Sequence, residues 1–588
     1  MMDTLTLEGW LALGTTVAVL ALLASNRVPP DLALLAGAVF LVGVGVISPE
    51  VALRGFSNEG MLTVAVLFVV AFAVQRTGAL SLVARPLLGQ PGSLRGALLR
   101  LCTSSGALSG FINNTPLVAM MLPLVSGWAR QLKISPSKLL LPLSYATVLG
   151  GMLTMIGTST NLVVSGLLEE SGRGSLGFFV PTLLGLVLVV VGVLVIVIFA
   201  PLIVPDRVNV DGTFSDPRRF TVEVLVEEEG PFVGQPVSAL REHAGGMNPV
   251  EIDRGDDQIP APGPDVLLRA GDRLVLAGPA LAIAALGQIR GLRPAADLSF
   301  GGESSRRHLF EVIVSDRSPL VGEQVGTGVF RRRYGGAIVA VARHGETLAA
   351  MRNADWSLRP GDALLVEAGS NFMEHPDVQS DFWTLREHGP ARRNWRTWAA
   401  LGITASMCVA AASGLMPMLW AALVAALVIA GTGIITIREV RSSIDLQIVI
   451  AIASSFALGS ALETTGAAAQ LARLLAGLGG QNPWLALAMI YLSTAVATEL
   501  ITNNAAAALL LPVGLATADT LGVAWMPFAM AVMFAASSSF VTPIGYATNL
   551  MVWGPGGYTF GDFLRLGGLL WLAVAALSVA LIPVLWPF

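Results

Sequence analysis

A 13-residue segment occurs twice in this chain of 588 residues, at residues 154–166 and again at residues 542–554. The two copies are identical at eight of their 13 positions and lie 388 residues apart. Upstream of each copy, the polar triplet 113–115 aligns with 502–504 at an offset of 389, and Thr77-Gly78 aligns with Thr465-Gly466 at 388. Matches in the same order at nearly one offset indicate that the chain contains two copies of one structural unit.

Both copies are embedded in apolar runs long enough to cross the roughly 30 Å hydrocarbon core of a bilayer. The predicted spans of the first block lie near 9–26, 31–48, 60–84, 139–168 and 177–205. Those of the second block lie near 397–413, 417–437, 444–462, 523–553 and 565–586. Only 13% of the residues are charged, against about a quarter in soluble proteins. The sequence therefore predicts a polytopic α-helical membrane protein.

The charged residues are concentrated between the two apolar blocks. Of the 76 charged side chains, 49 lie between Asp206 and Arg396. This distribution predicts membrane repeat 1 at residues 1–205, membrane repeat 2 at residues 397–588, and a water-soluble insert between them. A net charge of −4 argues against a nucleic-acid partner. The two cysteines, Cys102 and Cys408, lie in apolar segments and argue against a disulfide scaffold.

Two further apolar stretches, near 92–126 and 483–518, are interrupted in the middle by Asn-rich residues. Each half is too short to span a bilayer, so we expect two re-entrant helical hairpins, which are tolerated only against protein or a water-filled cavity. The positions of Arg and Lys predict a cytoplasmic insert at 206–396 and opposite orientations for the two repeats. Inverted repeats with paired broken helices are typical of secondary transporters, whose binding site lies between the repeats.

The hairpin tips and the duplicated segments carry the candidate chemistry. We expect Asn114 or Thr115 to cap the second helix of the first hairpin, with Pro116 at the first helical position. Asn503 and Asn504 would cap the matching helix of the second hairpin. Helix N-termini bind anions through free N–H groups without a buried cationic side chain.

The segments 157–161 and 545–549 are expected to be unwound and to supply carbonyl, hydroxyl and amide oxygens. Neutral oxygens of this kind suit Na⁺. The membrane blocks contain few acidic residues and no histidine, so proton coupling is less expected, with Glu499 and Glu463 as possible exceptions. No nucleophile–base set indicates an enzyme, and no motif indicates an organic cofactor.

At these residues the chain resembles the divalent anion:sodium symporter family of the ion-transporter superfamily, which places a Ser-Asn-Thr motif at each hairpin tip. The resemblance covers both membrane blocks and implies two Na⁺ sites, formed with the help of Asn113, Asn114 and Gly157 and of Thr502, Asn503 and Gly545. It implies an anion site lined by Asn114, Thr115, Thr158, Thr160, Asn161, Asn503, Asn504, Thr548 and Asn549. It also implies a homodimer in the cell membrane and an elevator-type movement of the hairpins.

The chain departs from the family motif at three positions: Asn113 and Thr502 replace Ser, and Asn504 replaces the final Thr. These tips look more like the sulfate-transporting branch that carries an intracellular insert. We therefore expect Na⁺-coupled symport of a divalent inorganic anion, with sulfate favoured. A dicarboxylate symporter is the alternative, and an ion channel or a non-transporting anion sensor is the alternative from another class.

The insert is itself a tandem repeat. The segments 231–234 and 268–272 recur as 319–322 and 358–362, each with a Gly-Asp pair after an apolar residue and an arginine. The pattern resembles the TrkA-C domain of potassium-conductance regulators, present twice, near 218–285 and 306–370. No Gly-x-Gly-x-x-Gly motif follows a strand, so the nucleotide-binding partner of those regulators is not expected. Regulation by an unknown cytoplasmic effector and dimer assembly are equally open roles.

Overall fold

A computed structural model describes residues 5–588, with gaps at 26–27, 207–220, 229, 244–247, 255–257, 261, 278–290, 295–306, 316–317, 323–328, 344–345, 349–356, 370–371, 373–374, 385–394 and 479–480. The expected insert bounds at 218, 285, 306 and 370 therefore lie outside the described residues. The chain divides into two compact units. One consists of residues 1–205, 388–550 and 559–588, and the other of residues 206–387 and 551–558.

The first unit is built from helices, which begin and end close to the predicted apolar runs. The first block has helices at Leu7–Ser25, Pro30–Gly43, Pro49–Arg54, Glu59–Arg76, Ala79–Leu88, Leu94–Ser109, Asn114–Gln131, Ser137–Gly151, Ser159–Glu170 and Thr182–Ile203. The second has helices at Trp395–Ala412, Met418–Gly431, Ile437–Ser443, Leu446–Thr464, Ala467–Leu478, Pro483–Leu500, Asn503–Leu521, Met526–Ala536, Ala547–Gly556 and Phe560–Leu585.

Among the described residues, six of these helices are long and apolar enough to cross a membrane. They include Pro483–Leu500 and Asn503–Leu521, so the expectation that each half of the second hairpin is too short to span a bilayer is wrong. Their outer faces are apolar as well. On the helix Thr182–Ile203, the side chains of Leu186, Val190 and Leu194 are about half exposed. Residues four positions apart lie on the same face of a helix, so this row is suited to contact with lipid. The prediction of a multi-pass α-helical membrane protein is consistent with this unit.

The helices of the second block begin at the same intervals as those of the first. The starts at Pro30, Pro49 and Ala79 recur 388 residues later at Met418, Ile437 and Ala467. The starts at residues 94, 114 and 137 recur 389 residues later, and the start at 159 recurs after 388. The sequence duplication is therefore also a duplication of secondary structure.

Three predicted spans are not single helices. The stretch 60–84 is divided at Thr77-Gly78, where Gly78 has a positive φ of 64°. The stretches 139–168 and 523–553 are divided by non-helical segments at 152–158 (the first break) and 537–546 (the second break). The stretch 444–462 is followed by the separate helix Ala467–Leu478, which we did not predict. The mean hydropathy of a long apolar run does not show where a helix unwinds within it.

The second unit contains two five-stranded antiparallel sheets. The strands are β1 Thr221–Val226, β2 Asn248–Asp253, β3 Gln258–Pro260, β4 Arg273–Ala277 and β5 Leu292–Pro294, followed by β6 Arg307–Val314, β7 Ala337–Arg343, β8 Glu346–Leu348, β9 Ala363–Gly369 and β10 Phe382–Thr384. The spatial orders are β3-β2-β4-β1-β5 and β8-β7-β9-β6-β10, which is the same order in both. Short helices lie at Val237–His243, Val329–Tyr334 and Pro376–Asp381.

Each sheet is accompanied by the same partly buried ion pair, which sequence reasoning missed. Arg254 Nε lies 2.8 Å from Asp272 Oδ1, and Arg343 Nη2 lies 2.7 Å from Asp362 Oδ2. Both aspartates belong to the duplicated Gly-Asp pairs, and each also accepts a backbone N–H from the residue three positions earlier. The hydrogen bonds to Asp362 raise the pKa of the Arg343 guanidinium above its usual value. The Gly-Asp pairs thus anchor the turn before β4 and β9.

Candidate functional site

The second helix of each hairpin begins one or two residues earlier than the sequence predicts. Asn113 is the N-cap of the helix Asn114–Gln131, and its Oδ1 accepts the Thr115 N–H at 3.4 Å. The expectation that Asn114 or Thr115 caps this helix is therefore wrong. Pro116 lies at the third helical position and not at the first.

In the second hairpin, Thr502 is the N-cap, and its hydroxyl accepts the Ala505 N–H at 3.4 Å. Asn503 and Asn504 are the first two helical residues and not caps, which corrects the expectation for this tip as well. Both corrections have one cause, because the side chains of Asn114 and Asn503 are engaged elsewhere.

A hydroxyl five residues earlier holds the buried asparagine of each tip. The Ser109 hydroxyl donates to Asn114 Oδ1 in the first hairpin. The Thr498 hydroxyl donates to Asn503 Oδ1 at 2.8 Å and lies 2.6 Å from the carbonyl oxygen of Ala536. Sequence reasoning missed both hydroxyls as site residues. Their common offset of 389 is the signal that could have found them.

The two helix breaks also have matching hydrogen bonds in the two halves. Asn161 Nδ2 donates to the carbonyl oxygens of Gly151 and Thr154 at 3.3 and 2.8 Å. Asn549 Nδ2 donates to the carbonyl oxygens of Ser539 and Thr542, both at 3.1 Å. Carbonyl groups at a helix end have no partner within the helix. The two asparagines therefore satisfy equivalent backbone groups in the two halves.

Each break is also linked to its own hairpin. The Thr154 hydroxyl donates to the carbonyl oxygen of Gly110, at the first tip. The Thr542 hydroxyl lies 3.3 Å from the carbonyl oxygen of Glu499, at the second tip. The two hydroxyls are 388 residues apart and the two carbonyl groups 389. Hairpin and break thus form one connected unit in each half.

The segments 157–161 and 545–549 are less unwound than predicted. Only residues 157–158 and 545–546 lie outside helices, because new helices begin at Ser159 and Ala547. Asn161 and Asn549 therefore lie in the first turns of these helices. With Asn114 and Asn503, four helix N-termini belong to the candidate site, and each has free N–H groups and partial positive charge.

Three residues, Asn504, Asn114 and Ser144, each make a contact that joins the halves at these N-termini. Asn504 Oδ1 accepts hydrogen bonds from Ser159 Oγ at 3.1 Å and from Thr160 Oγ1 at 3.3 Å. Asn114 Nδ2 donates to the Tyr546 hydroxyl at 3.0 Å. Residues predicted from different halves are thereby brought within hydrogen-bond distance.

The Ser144 hydroxyl provides the third contact. It lies 2.9 Å from Thr548 Oγ1 and 2.7 Å from Asn549 Oδ1, and all three side chains are buried. Ser144 was not among the predicted site residues. Its counterpart in the second half is Met533, so the repeat gives no signal for it.

The remaining predicted residues have other surroundings. Thr158 is buried, and its hydroxyl lies 3.5 Å from Thr160 Oγ1. Gly157 packs against the end of the preceding helix, where a Cβ would lie 2.5 Å from the Gly151 carbonyl oxygen. Thr115 contributes its backbone N–H to the cap, and its half-buried side chain makes no hydrogen bond to a described residue.

Glu499 is buried beside the second break, where it accepts four hydrogen bonds. Its Oε1 accepts the N–H groups of Phe540 and Val541 at 2.8 and 2.9 Å. Its Oε2 accepts the N–H and the hydroxyl of Thr542, both at 2.9 Å. The carboxylate thus replaces the helical carbonyl partners that the unwound segment has lost.

Within the part of the chain that the structure describes, no group of three His, Cys, Asp or Glu residues could hold a metal ion. The oxygens of the tips and breaks come from amides, hydroxyls and carbonyls. Oxygen ligands of this kind favour hard cations over transition metals.

Comparisons with known proteins match most of the chain. The model of the citrate transporter family matches residues 20–535. An uncharacterized transporter of Synechocystis is 34% identical, with 95% of each chain covered. A putative sulfur deprivation response regulator of Chlamydomonas reinhardtii is 33% identical, with 94% of this chain and 97% of the relative covered. Sodium/sulfate cotransporter 1 of the same alga is 25% identical, with 98% and 90% covered.

Proposed function

Because this chain belongs to the citrate transporter family, we propose that it is a secondary active transporter that carries sulfate, or a similar divalent inorganic anion, together with Na⁺. The family lies in the ion-transporter superfamily that the hairpin motifs indicated. The family model carries the name of an organic acid, so the anion is argued from the site. The main support for the proposal is that hydrogen bonds from Ser159 and Thr160 to Asn504 join helix N-termini of the two halves.

Four helix N-termini and several neutral donors suit a fully ionised oxyanion. Sulfate only accepts hydrogen bonds, and helix N-termini offer N–H groups with partial positive charge. The side-chain amides of Asn114, Asn503 and Asn504 and the hydroxyls of Thr160 and Thr548 would add donors on both sides. A site held by the hairpins and breaks of both halves would be exposed to either side of the membrane in turn as these elements move together.

Na⁺ would bind where oxygens converge at each tip and break. In the first half these groups come from Asn113, Asn114 and Gly157. The matching groups of the second half are Thr502, Asn503 and Gly545. A cation in each half would offset the charge of the anion. This charge balance is the physical reason for coupling, because neither ion is then carried uncompensated through a low-dielectric interior.

The wider architecture follows from the same proposal. The equal helix intervals support two repeats of one unit, and the positions of Arg and Lys support their opposite orientations. The apolar outer faces support a multi-pass protein of the cell membrane. We place the insert in the cytoplasm and regard its two sheets as TrkA-C-like domains with a regulatory or assembly role. A homodimeric scaffold with an elevator-type movement completes the proposal.

The family model and one relative each favour a different alternative function. The name of the family model favours an organic acid as the anion. The name of the algal relative that is 33% identical favours a sensor, in which the same site binds an anion and the insert transmits the signal.

Radiolabelled sulfate uptake into proteoliposomes tests these readings together. We expect uptake to require an inward Na⁺ gradient and to be unaffected by excess succinate or citrate. Inhibition by either acid would indicate an organic-acid transporter. Sulfate binding without Na⁺-dependent flux would contradict the transporter proposal and favour the sensor.

A further inference from the structure

Two consecutive residues of the helix Ser137–Gly151 (the crossing helix) reach from the first half to the second break. The Tyr145 hydroxyl donates to the carbonyl oxygen of Phe540 at 2.8 Å. The Ser144 hydroxyl lies 2.7 Å from Asn549 Oδ1. Phe540 belongs to the second break, and Asn549 follows the break in the first turn of the next helix. One helix of the first half therefore holds the second break at two points.

Tyr145 is packed tightly against the second break. Its side chain is fully buried, and its ring meets the ring of Phe540 edge to face, with 5.6 Å between the ring centroids. Its hydroxyl oxygen also lies 3.4 Å from the carbonyl oxygen of Phe563. A Cβ at Gly567 would lie 2.6 Å from the same hydroxyl oxygen, so glycine is needed there to leave room for the phenol. Packing and a hydrogen bond together fix Tyr145 on Phe540.

The backbone of Phe540 connects this contact to the second tip. Its carbonyl oxygen accepts from Tyr145, whereas its N–H donates to Glu499 Oε1 at 2.8 Å. Glu499 lies at the end of the helix that precedes the second tip, and Asn503 begins the helix that follows the tip. A displacement of Phe540 would therefore act on Glu499 and, through it, on the second tip.

The crossing helix also contacts the first tip. Its last residue, Gly151, packs against the side chain of Asn114, where a Cβ would lie 2.6 Å from Oδ1. All of its residues except Lys138 are buried. Rigid, packed secondary elements can carry energetic coupling between two sites. This helix therefore links the first tip, at its end, to the second break, at its middle.

The matching helix of the second half cannot make the same hydrogen bonds. Met533 and Phe534 stand at the positions that match Ser144 and Tyr145, 389 residues later. Neither side chain has an O–H or N–H group to donate. The support given by these side chains therefore runs in one direction, from the first half to the second break.

We propose that Ser144 and Tyr145 are positioning residues, through which the first half sets the geometry of the second break and of the second tip. Each acts through a residue of the second half, so neither needs to touch a transported ion. Because the crossing helix also packs against the first tip, a ligand that shifts the first tip would change the second break. Under the proposed function this couples ion binding in the two halves, and only this consequence rests on that function.

Hydrogen–deuterium exchange of the purified full-length protein in detergent, without Na⁺ or sulfate, tests the proposal. The N–H groups of residues 540–542 are bonded to Glu499, so their exchange reports how often the second break opens. We expect Tyr145→Phe to accelerate exchange in residues 537–546 about 10-fold, as for loss of one buried hydrogen bond. Ser144→Ala should act in the same direction.

Thr147→Val is the matched control. Thr147 is a fully buried residue of the crossing helix, and among the described residues its hydroxyl donates only to the carbonyl oxygen of Ser144. Exchange in residues 537–546 should equal that of the wild type in this variant. General destabilisation would also accelerate exchange in the helix Met418–Gly431. Unchanged exchange in residues 537–546 of Tyr145→Phe, or equal acceleration in both segments, would overturn the proposal.

The Na⁺ dependence of sulfate uptake separates this inference from the proposed function. We expect Tyr145→Phe to raise the Na⁺ concentration for half-maximal uptake about 10-fold, as for loss of a group that orients the ligands of an ion. Faster exchange in this variant, without any Na⁺-dependent uptake by the wild type, would support the positioning role and refute the proposed transport. Na⁺-dependent uptake by the wild type with unchanged exchange in the variant would refute the positioning role alone.

Discussion

Thr160 Oγ1 and Asn504 Oδ1 are 344 residues apart in the chain and 3.3 Å apart in space. Both lie in the first turn of a helix, one after the first break and one after the second tip. The hydrogen bond therefore places an N-terminus of each half against the same small region. A ligand bound there would contact both halves.

The first prediction concerns Asn504 itself. Asn504→Asp keeps the acceptor for Ser159 and Thr160 but adds a negative charge where the anion is proposed to bind. We expect the KM for sulfate to rise by about 10- to 100-fold, since each tenfold loss corresponds to about 1.4 kcal/mol. Sulfate uptake into proteoliposomes measures the change. An unchanged KM would remove Asn504 from the anion site.

The second prediction concerns the hydroxyls that orient the tip asparagines. Ser109→Ala and Thr498→Val should each raise the Na⁺ concentration for half-maximal uptake by about 10-fold, because the neighbouring amide oxygen loses its fixed orientation. Ser105→Ala and Thr494→Val are matched controls, since among the described residues those buried hydroxyls donate only to carbonyl groups of their own helices. Equal effects in variants and controls would show that packing alone is responsible.

The third prediction concerns the asparagines of the breaks. Asn161→Asp and Asn549→Asp would each replace an Nδ2 donor with an oxygen that faces two carbonyl groups. We expect each to destabilise the protein by about 2–4 kcal/mol, from two lost hydrogen bonds and a buried charge. Thermal unfolding measures the loss. Asn482→Asp is the control, because Asn482 is an exposed N-cap whose oxygen only accepts a hydrogen bond.

The fourth prediction concerns the insert. Asp272→Asn and Asp362→Asn should each destabilise their own sheet by about 3–5 kcal/mol, because each leaves a partly buried arginine without its counter-charge. Limited proteolysis of the full-length protein measures the loss. Asp377→Asn is the control, since its ion pair with Arg333 is 3.6 Å long and about half exposed. An exposed pair of this kind contributes about 0–1 kcal/mol. Equal proteolysis of all three variants would contradict a structural role for the duplicated pairs.

The sequence predicted where the helices of both hairpin stretches begin, within two residues of 92 and 483. It did not predict that both helices of the second stretch are long enough to span a bilayer. The caps were wrong by one or two residues, because several neighbouring polar side chains at each tip are of types that cap helices. Ser109 settles that choice through a contact with Asn114. Sequence periodicity does not contain such tertiary contacts.

The contacts between the two halves could not be predicted from the sequence, for a related reason. Ser144 has no polar counterpart in the repeat, and Asn504 meets Ser159 only when the two halves pack together. Residue types predicted the chemistry of the site, and packing determined which residues share it.

The central claim is that Na⁺ and sulfate bind in a coupled manner, and isothermal titration calorimetry of the purified protein tests it most directly. Linkage requires that Na⁺ raise the affinity for sulfate by the same factor by which sulfate raises the affinity for Na⁺. We predict equal factors of about 10-fold or more, which corresponds to a coupling free energy near 1.4 kcal/mol. Sulfate affinity that is identical in NaCl and in choline chloride would contradict the account.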